Sequence, residues 1–167
     1  ADLGALPRVL VIGSGAVGSF LAELLAAAGH EVILLDQRVL GGNDATRLRI
    51  EGPDGSQVVP VRRVVDAADA GDPGCIVLAV KIFHLDAALA IAAGWPDAAL
   101  LTVQNGVGAE ELARAARGGP VLAGSLTTAV EPLPDGVKRM RPGGMGVAVV
   151  PGIGADARGN CADLLAG

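Results

Sequence analysis

Short apolar segments alternate with helical patterns along most of the chain. Each apolar segment is rich in Val, Ile and Leu, as is typical of strands buried on both faces of a parallel sheet. Segments of this kind lie at residues 8–12, 32–35, 75–80, 99–103 and 121–126. Apolar residues recur at helical spacing in residues 17–28, 85–93 and 109–116. This alternation predicts an α/β fold with a doubly wound, mostly parallel sheet.

Two parts of the chain depart from this alternation. Residues 47–51 and 57–61 flank Gly52-Pro53-Asp54-Gly55, a turn sequence that predicts a β-hairpin. Short strands are predicted at residues 137–141 and 146–150, followed by an amphipathic segment at 157–166. The arginines in and after the hairpin are expected on solvated strand faces. They are Arg47, Arg49, Arg62 and Arg63.

The first strand and helix are joined by Gly13-Ser14-Gly15-Ala16-Val17-Gly18, which has the form G-x-G-x-x-G. In such a unit the first glycine permits a tight turn, the second lets the backbone approach a diphosphate, and the third lets the helix pack closely. The N–H groups at the helix N-terminus favour phosphate. The helix itself carries Glu23 on the face opposite its apolar residues. The motif predicts a dinucleotide site, the alternative being a glycine-rich turn of another α/β protein.

Asp36 ends the second predicted strand, where it bears on the choice of cofactor. A carboxylate there accepts hydrogen bonds from the adenosine ribose, which favours NAD, and repels the 2′-phosphate of NADP. Gln37 follows, and Arg38 could offset the repulsion by pairing with the phosphate. The residues alone therefore favour NAD.

Polar residues also follow two other predicted strands, at the edge where parallel sheets bind ligands. The ammonium of Lys81 could hold a substrate carboxylate or polarise a carbonyl. The amide of Asn105, which precedes Gly106, could hydrogen-bond the nicotinamide ribose or the substrate. The alternatives are a solvated lysine and a plain turn. We expect neither His84 nor His30 to act in catalysis.

Composition narrows the class of protein. The length of 167 residues is that of one domain of ordinary size. A content of 51% hydrophobic and 19% charged residues predicts a globular rather than a disordered chain. It has no membrane-length apolar run, and its first residues do not resemble a signal peptide. A net charge of −5 argues against a nucleic-acid partner. Cys75 and Cys161 lie in no metal-binding spacing and are expected as buried thiols, so we expect a cytoplasmic protein without a metal ion.

At the glycine loop and at the strand ends that carry Lys81 and Asn105, the sequence resembles the ketopantoate reductase (2-dehydropantoate 2-reductase) family. The matching stretches are VLVIGSGAVGSFLAELLAAAGHEV, LAVKIFHLDAAL, LTVQNGVGAEEL, AGSLTTAVE and RPGGMGVAVV. The resemblance implies that Ala79, Val80, Lys81, Asn105 and Gly106 line the cofactor and substrate crevice, with Lys81 and Asn105 serving catalysis. It also implies an oxidoreductase that transfers hydride from NADPH to a 2-keto acid, ketopantoate, giving pantoate for pantothenate and coenzyme A biosynthesis.

The chain departs from the family pattern in two respects. Family members carry a C-terminal helical domain, which holds a general-acid lysine and a substrate-binding glutamate. We expect residues 1–167 to be the dinucleotide-binding domain alone, with the helical domain either part of a longer protein or missing or separate, and we expect the chain to be inactive by itself. The family usually has an arginine directly after the second strand, where this chain has Asp36-Gln37 and then Arg38. We expect NADP from the resemblance, with NAD nearly as well supported by Asp36.

Two other functions fit the same residues. One is an NAD-dependent D-2-hydroxyacid dehydrogenase of the same family, and the other is a non-catalytic nucleotide-binding module. The sequence does not determine the identity of the substrate. It also leaves the oligomeric state open, and a homo-oligomer is one of the alternatives.

Overall fold

The computed structural model describes residues 6–42, 44–103, 108–117 and 121–141, together with the backbone of residues 145–149. The α-helices in these residues are α1 (Ala16–Ala27), α2 (Leu85–Ala92) and α3 (Ala109–Ala116). The larger sheet contains β1 (Val9–Ile12), β2 (Val32–Leu35), β5 (Arg62–Val64), β6 (Cys75–Leu78), β7 (Ala99–Thr102), β8 (Val121–Leu126) and β11 (Met145–Val149). The smaller sheet contains β3 (Arg47–Gly52), β4 (Gly55–Pro60), β9 (Val130–Leu133) and β10 (Gly136–Arg139).

The larger sheet has the strand order β11-β8-β7-β6-β1-β2-β5. All neighbouring strands from β8 to β5 pair in parallel, and β11 pairs antiparallel with β8. Without β11, this is the strand order of the doubly wound dinucleotide-binding fold, so the predicted fold class is confirmed. The order reverses between β1 and β6, which opens a crevice beyond the carboxyl ends of these two strands.

Both faces of the larger sheet are buried, which explains its uninterrupted apolar strands. Successive side chains of a strand point to opposite faces. Val9 and Val11 therefore pack on the α1 side, whereas Leu10 and Ile12 pack on the side of α2 and α3. All four side chains are nearly or fully buried, so a polar substitution at any of them would place an unpaired polar group in the core.

The smaller sheet has the order β4-β3-β10-β9 and packs against α1, which thus lies between two sheets. This arrangement buries both sides of the helix. Glu23, on the face opposite the apolar residues of α1, is therefore buried as well, with its side chain only 4% exposed. None of the helices in the described residues is long and apolar enough to cross a membrane.

The predicted hairpin is confirmed as β3 and β4, but β5 and β9 were not predicted. The strand β9 contains Pro132, which is tolerated because β9 is an edge strand. The strand β5 carries Arg63, which is buried, so the expectation of a solvated side chain is wrong there. The thiol of Cys75 is buried as expected. Cys161 and the amphipathic segment at 157–166 lie outside the described residues.

Candidate functional site: a dinucleotide crevice

The glycine loop lies at the reversal of strand order. Gly13 follows β1 with a positive φ of +117°, and a Cβ there would lie 2.6 Å from the carbonyl oxygen of Ala79, just after β6. A Cβ on Gly18 would overlap the carbonyl oxygen of Gly13. The first and third glycines therefore let the turn, α1 and the end of β6 pack together, and larger side chains at these positions would push them apart.

The second glycine has a different environment. Gly15 is the N-cap of α1 with an extended backbone (φ −68°), and a Cβ there would meet no atom within 4 Å in the part of the chain that the structure describes. In the described residues, no side chain caps the helix and no acidic residue lies in its first turn. The N–H groups at the start of α1 thus keep their donor capacity, and the helix dipole adds positive potential. Ser14, Ala16 and Val17 are partly exposed around this opening. A diphosphate fits such a helix terminus.

At the end of β2, the carboxylate of Asp36 is fully buried and its acceptor sites are filled. Oδ1 accepts hydrogen bonds from the backbone N of Arg38 at 2.9 Å and from its Nε at 3.0 Å. Oδ2 accepts from Nη2 of Arg38 at 3.1 Å and from Nε of Arg63 at 2.7 Å. Nη2 of Arg63 lies 2.7 Å from the same oxygen. The four hydrogen-bond donors occupy the roughly four lone-pair positions of a carboxylate, and Nη2 of Arg63 adds an ion-pair contact without a hydrogen bond.

Two opposing effects act on the pKa of Asp36. Burial alone would raise it, but the hydrogen bonds from Arg38 and Arg63 and the positive charge of Arg38 outweigh burial and hold the pKa below its usual value. Asp36 is therefore ionised at neutral pH, and its charge is balanced inside the protein. The sequence locates this residue correctly but does not reveal its burial.

Arg38 connects the end of β2 to the glycine loop and to the smaller sheet. Its Nη1 donates to the carbonyl oxygens of Leu133 at 2.6 Å and Gly136 at 3.2 Å. Its Nη2 also donates to Oγ of Ser19 at 3.0 Å, and this hydroxyl donates to the carbonyl oxygen of Ser14 at 3.3 Å. All donors of the guanidinium are engaged within the protein. Gln37, by contrast, is exposed, and its Nε2 donates to the carbonyl oxygen of Val65 at 3.2 Å.

Lys81 lies on the other side of the crevice from Asp36, just beyond β6. Ala79 and Val80, which precede it, are half-buried, whereas the Lys81 side chain is exposed. Its Nζ lies 6.0 Å from the ring centroid of Phe83, and that ring is 70% exposed. Lys81 is thus free to reach a molecule bound beyond the strand ends.

The other candidate residues are two histidines, which the structure describes, and Asn105 with Gly106, which it does not. The ring of His84 is exposed, and its centroid lies 4.4 Å from that of Phe83. His30 is buried with Nδ1 at 3.0 Å from the carbonyl oxygen of Pro7. Asn105 and Gly106 lie outside the described residues, so their roles remain predictions.

Comparison with known proteins identifies the family. The family model described as "Ketopantoate reductase PanE/ApbA" matches residues 9–149. The chain belongs to this family. A 2-dehydropantoate 2-reductase of Pyrococcus horikoshii is 30% identical over 123 residues, which cover 72% of this chain and 40% of the relative.

Solved ketopantoate reductases share the fold. The PanE/ApbA family ketopantoate reductase of Ralstonia eutropha matches with a TM-score of 0.79 and 27% identity, over 94% of this chain and 54% of that one. The 2-dehydropantoate 2-reductase of Methylococcus capsulatus matches with a TM-score of 0.77 and 25% identity, over 93% and 53%. A D-mandelate dehydrogenase, solved with NADH, has the same fold with a TM-score of 0.78 at 21% identity. The chain thus spans about half the length of its solved ketopantoate reductase relatives.

Two residues of the site were missed in the sequence. Arg63 lies on a three-residue strand whose pattern shows no alternation, and its partner Asp36 is 27 positions away. Ser19 is one of several small residues in the α1 sequence and has no distinguishing pattern there. In the structure its hydroxyl joins Arg38 to the glycine loop. One sequence feature could have indicated the buried ion pair. It is Asp36 at the end of an apolar strand, followed by an arginine-rich region at residues 47–63.

Proposed function

We propose that this chain is the NADP-binding domain of an oxidoreductase that reduces a small 2-keto acid, with ketopantoate as the substrate. The observation that carries this proposal is the glycine loop at the reversal of strand order, where Gly15 faces open space while Gly13 and Gly18 are needed for packing. Membership of the ketopantoate reductase family supports the reaction class.

The chain's own residues would hold the cofactor in an extended position across the crevice. The loop from Gly13 to Gly18 and the N-terminus of α1 would bind the diphosphate. Ala79 and Val80 would contact the half that carries the nicotinamide, and Lys81 and Asn105 would orient the substrate there. Bound NADPH would supply the hydride, while the protein supplies orientation and electrostatics.

The charges at the end of β2 support NADP over NAD. Asp36 has no acceptor position left for the ribose hydroxyls in its buried state. Arg38, Arg63 and Asp36 together carry one net positive charge beside the glycine loop, and the carboxylates of Asp44 and Asp135 interact with the Arg63 charge from further away. A 2′-phosphate gains from that charge, whereas an unphosphorylated ribose does not.

The complete reaction requires groups that we propose lie in a second, helical domain. The family resemblance implies that such a domain holds the general acid, and the solved relatives are about twice as long as this chain. The chain alone is therefore predicted to bind NADPH without turning over ketopantoate.

Calorimetric titration and a spectrophotometric assay test this proposal together. The 167-residue chain is expected to bind NADPH more tightly than NADH, and NADPH absorbance is expected to stay constant after ketopantoate is added. Efficient NADPH consumption by this chain would contradict the two-domain proposal. Failure to bind either dinucleotide would contradict the proposed function itself.

A further inference from the structure

A buried arginine outside the glycine loop, Arg63, forms an ion pair with Asp36 at the end of β2. Resting on the proposed dinucleotide function, we propose that Arg63 sets the preference for NADP over NAD by holding the Asp36 carboxylate inside the protein. The side chain of Arg63 is fully buried, so Arg63 would act through Asp36 as a positioning residue for specificity.

The ion pair between Arg63 and Asp36 is fully enclosed. Both side chains are 0% exposed, and Nε and Nη2 of Arg63 each lie 2.7 Å from Oδ2. A buried carboxylate is stable as an ion only when such donors compensate its lost hydration. Arg63 therefore determines whether Asp36 stays inside.

Arg63 is itself held in place independently of Asp36. Its Nη1 donates to the carbonyl oxygens of Asp44 at 2.8 Å and Arg47 at 3.2 Å. Its backbone N donates to the carbonyl oxygen of Ala45 at 2.7 Å. In addition, Arg63 pairs with Leu34 in the parallel register of β5 and β2. The guanidinium is thus a fixed anchor against which the end of β2 is positioned.

Arg38 cannot replace this anchor, although it binds the same carboxylate. Its side chain is 21% exposed, and its remaining donors hold the smaller sheet and Ser19. Without Arg63, Oδ2 of Asp36 would keep only the donors of Arg38 while still buried. Rotation of the carboxylate outward would restore its hydration.

An outward carboxylate reverses the preference for the cofactor. From the end of β2, next to the glycine loop, it would accept hydrogen bonds from the ribose hydroxyls of NADH. It would also repel the 2′-phosphate of NADPH at close range. Arg63→Met is therefore expected to weaken NADPH binding and to strengthen NADH binding.

The experiment measures Kd for NADPH and NADH on four proteins, namely the wild-type chain, Arg63→Met, Arg62→Met and Arg63→Met/Asp36→Asn. Arg62 is the matched control because it precedes Arg63 on β5 and is exposed. The wild type is expected to prefer NADPH, and the ratio of the two Kd values should shift toward NADH by about tenfold or more in Arg63→Met. Arg62→Met should leave the ratio nearly unchanged. The double variant should regain the preference for NADPH, because it has no carboxylate to turn outward.

Three results would overturn the inference while leaving the dinucleotide function intact. They are a wild-type preference for NADH, an equal change of both Kd values in Arg63→Met, and an equal shift in Arg62→Met. Absence of binding by the wild type would instead refute the proposed function. If Arg63→Met does not fold, Arg63→Gln keeps a polar side chain against Asp36 and is expected to shift the ratio in the same direction. An unchanged ratio in folded Arg63→Gln contradicts the inference equally.

Discussion

At the scale of single residues, Lys81 combines exposure with a position at the carboxyl end of β6. Its side chain makes no salt bridge among the described residues, and its Nζ stands 6.0 Å from the Phe83 ring centroid. A side chain of this kind contributes little to folding but can supply positive charge to a bound substrate. The structure thus permits the catalytic role that the sequence predicts.

In the proposed two-domain protein, Lys81→Ala is expected to lower kcat/KM by the equivalent of about 2–4 kcal/mol of transition-state stabilisation, with little change in Tm. Steady-state kinetics with ketopantoate and a thermal melt measure the two effects. Lys138→Ala is the matched control, since the chain has no lysines besides these two and Lys138 lies on β10 of the smaller sheet. If Lys81→Ala has wild-type kinetics, Lys81 is a solvated surface residue without a catalytic role.

At the scale of elements, α1 is buried between two sheets and carries a buried glutamate, Glu23. Oε2 of Glu23 is buried and has no hydrogen-bond partner in the described residues. Burial raises the pKa of Glu23, and the positive charge of Arg139 lowers it by a smaller amount. A raised pKa means that the charged form is less stable in the folded protein than in the unfolded chain.

Glu23→Gln is therefore expected to stabilise the chain at pH 7, by about 1 kcal/mol in the free energy of unfolding. The gain should be present above the pKa of the folded Glu23. It should shrink as the pH falls through that pKa and vanish below the ordinary value of 4.5, where the wild-type side chain is neutral in both states. Urea unfolding at several pH values measures this dependence, with the exposed Glu131→Gln as a control. A loss of stability at pH 7 would show that attraction to Arg139 exceeds the cost of burial.

The elements show which parts of the fold were predictable. Strands β1, β2, β6, β7 and β8 were predicted because each is a local apolar run. The helices were predicted because α1, α2 and α3 repeat apolar residues at helical spacing. By contrast, β5 has only three residues and begins with two arginines, and β9 contains a glutamate and a proline, so neither has a local signal. Pairing with β2 and β10 makes them strands. The second sheet over α1 depends on contacts between distant segments, so the burial of Glu23, Asp36 and Arg63 could not be read from local patterns.

At the scale of the whole molecule, the strand order, the glycine loop and the anchored charges converge on one crevice. The sequence predicts the glycine loop and Lys81 there because strand ends are local features. It does not predict how Asp36, Arg38 and Ser19 connect the loop to the smaller sheet, because those bonds join segments far apart in the chain. The central claim is that this crevice binds a dinucleotide through the loop around Gly15.

The most direct test of this claim is the calorimetric Kd for NADPH of the 167-residue chain with Gly15→Val, beside the wild type. A Cβ at position 15 meets no atom of the described residues within 4 Å, and the backbone there has an extended conformation, so the variant should fold with a stability loss of only about 1 kcal/mol. The branched side chain would instead occupy the space into which the diphosphate must fit.

Gly94→Val is the matched control, since it makes the same change between α2 and β7, where a Cβ meets only the carbonyl oxygen of Ile91 at 3.4 Å. The account predicts that the wild type and Gly94→Val bind NADPH alike, whereas Gly15→Val remains folded and shows no measurable binding. Folded Gly15→Val that binds NADPH with the wild-type Kd would contradict it.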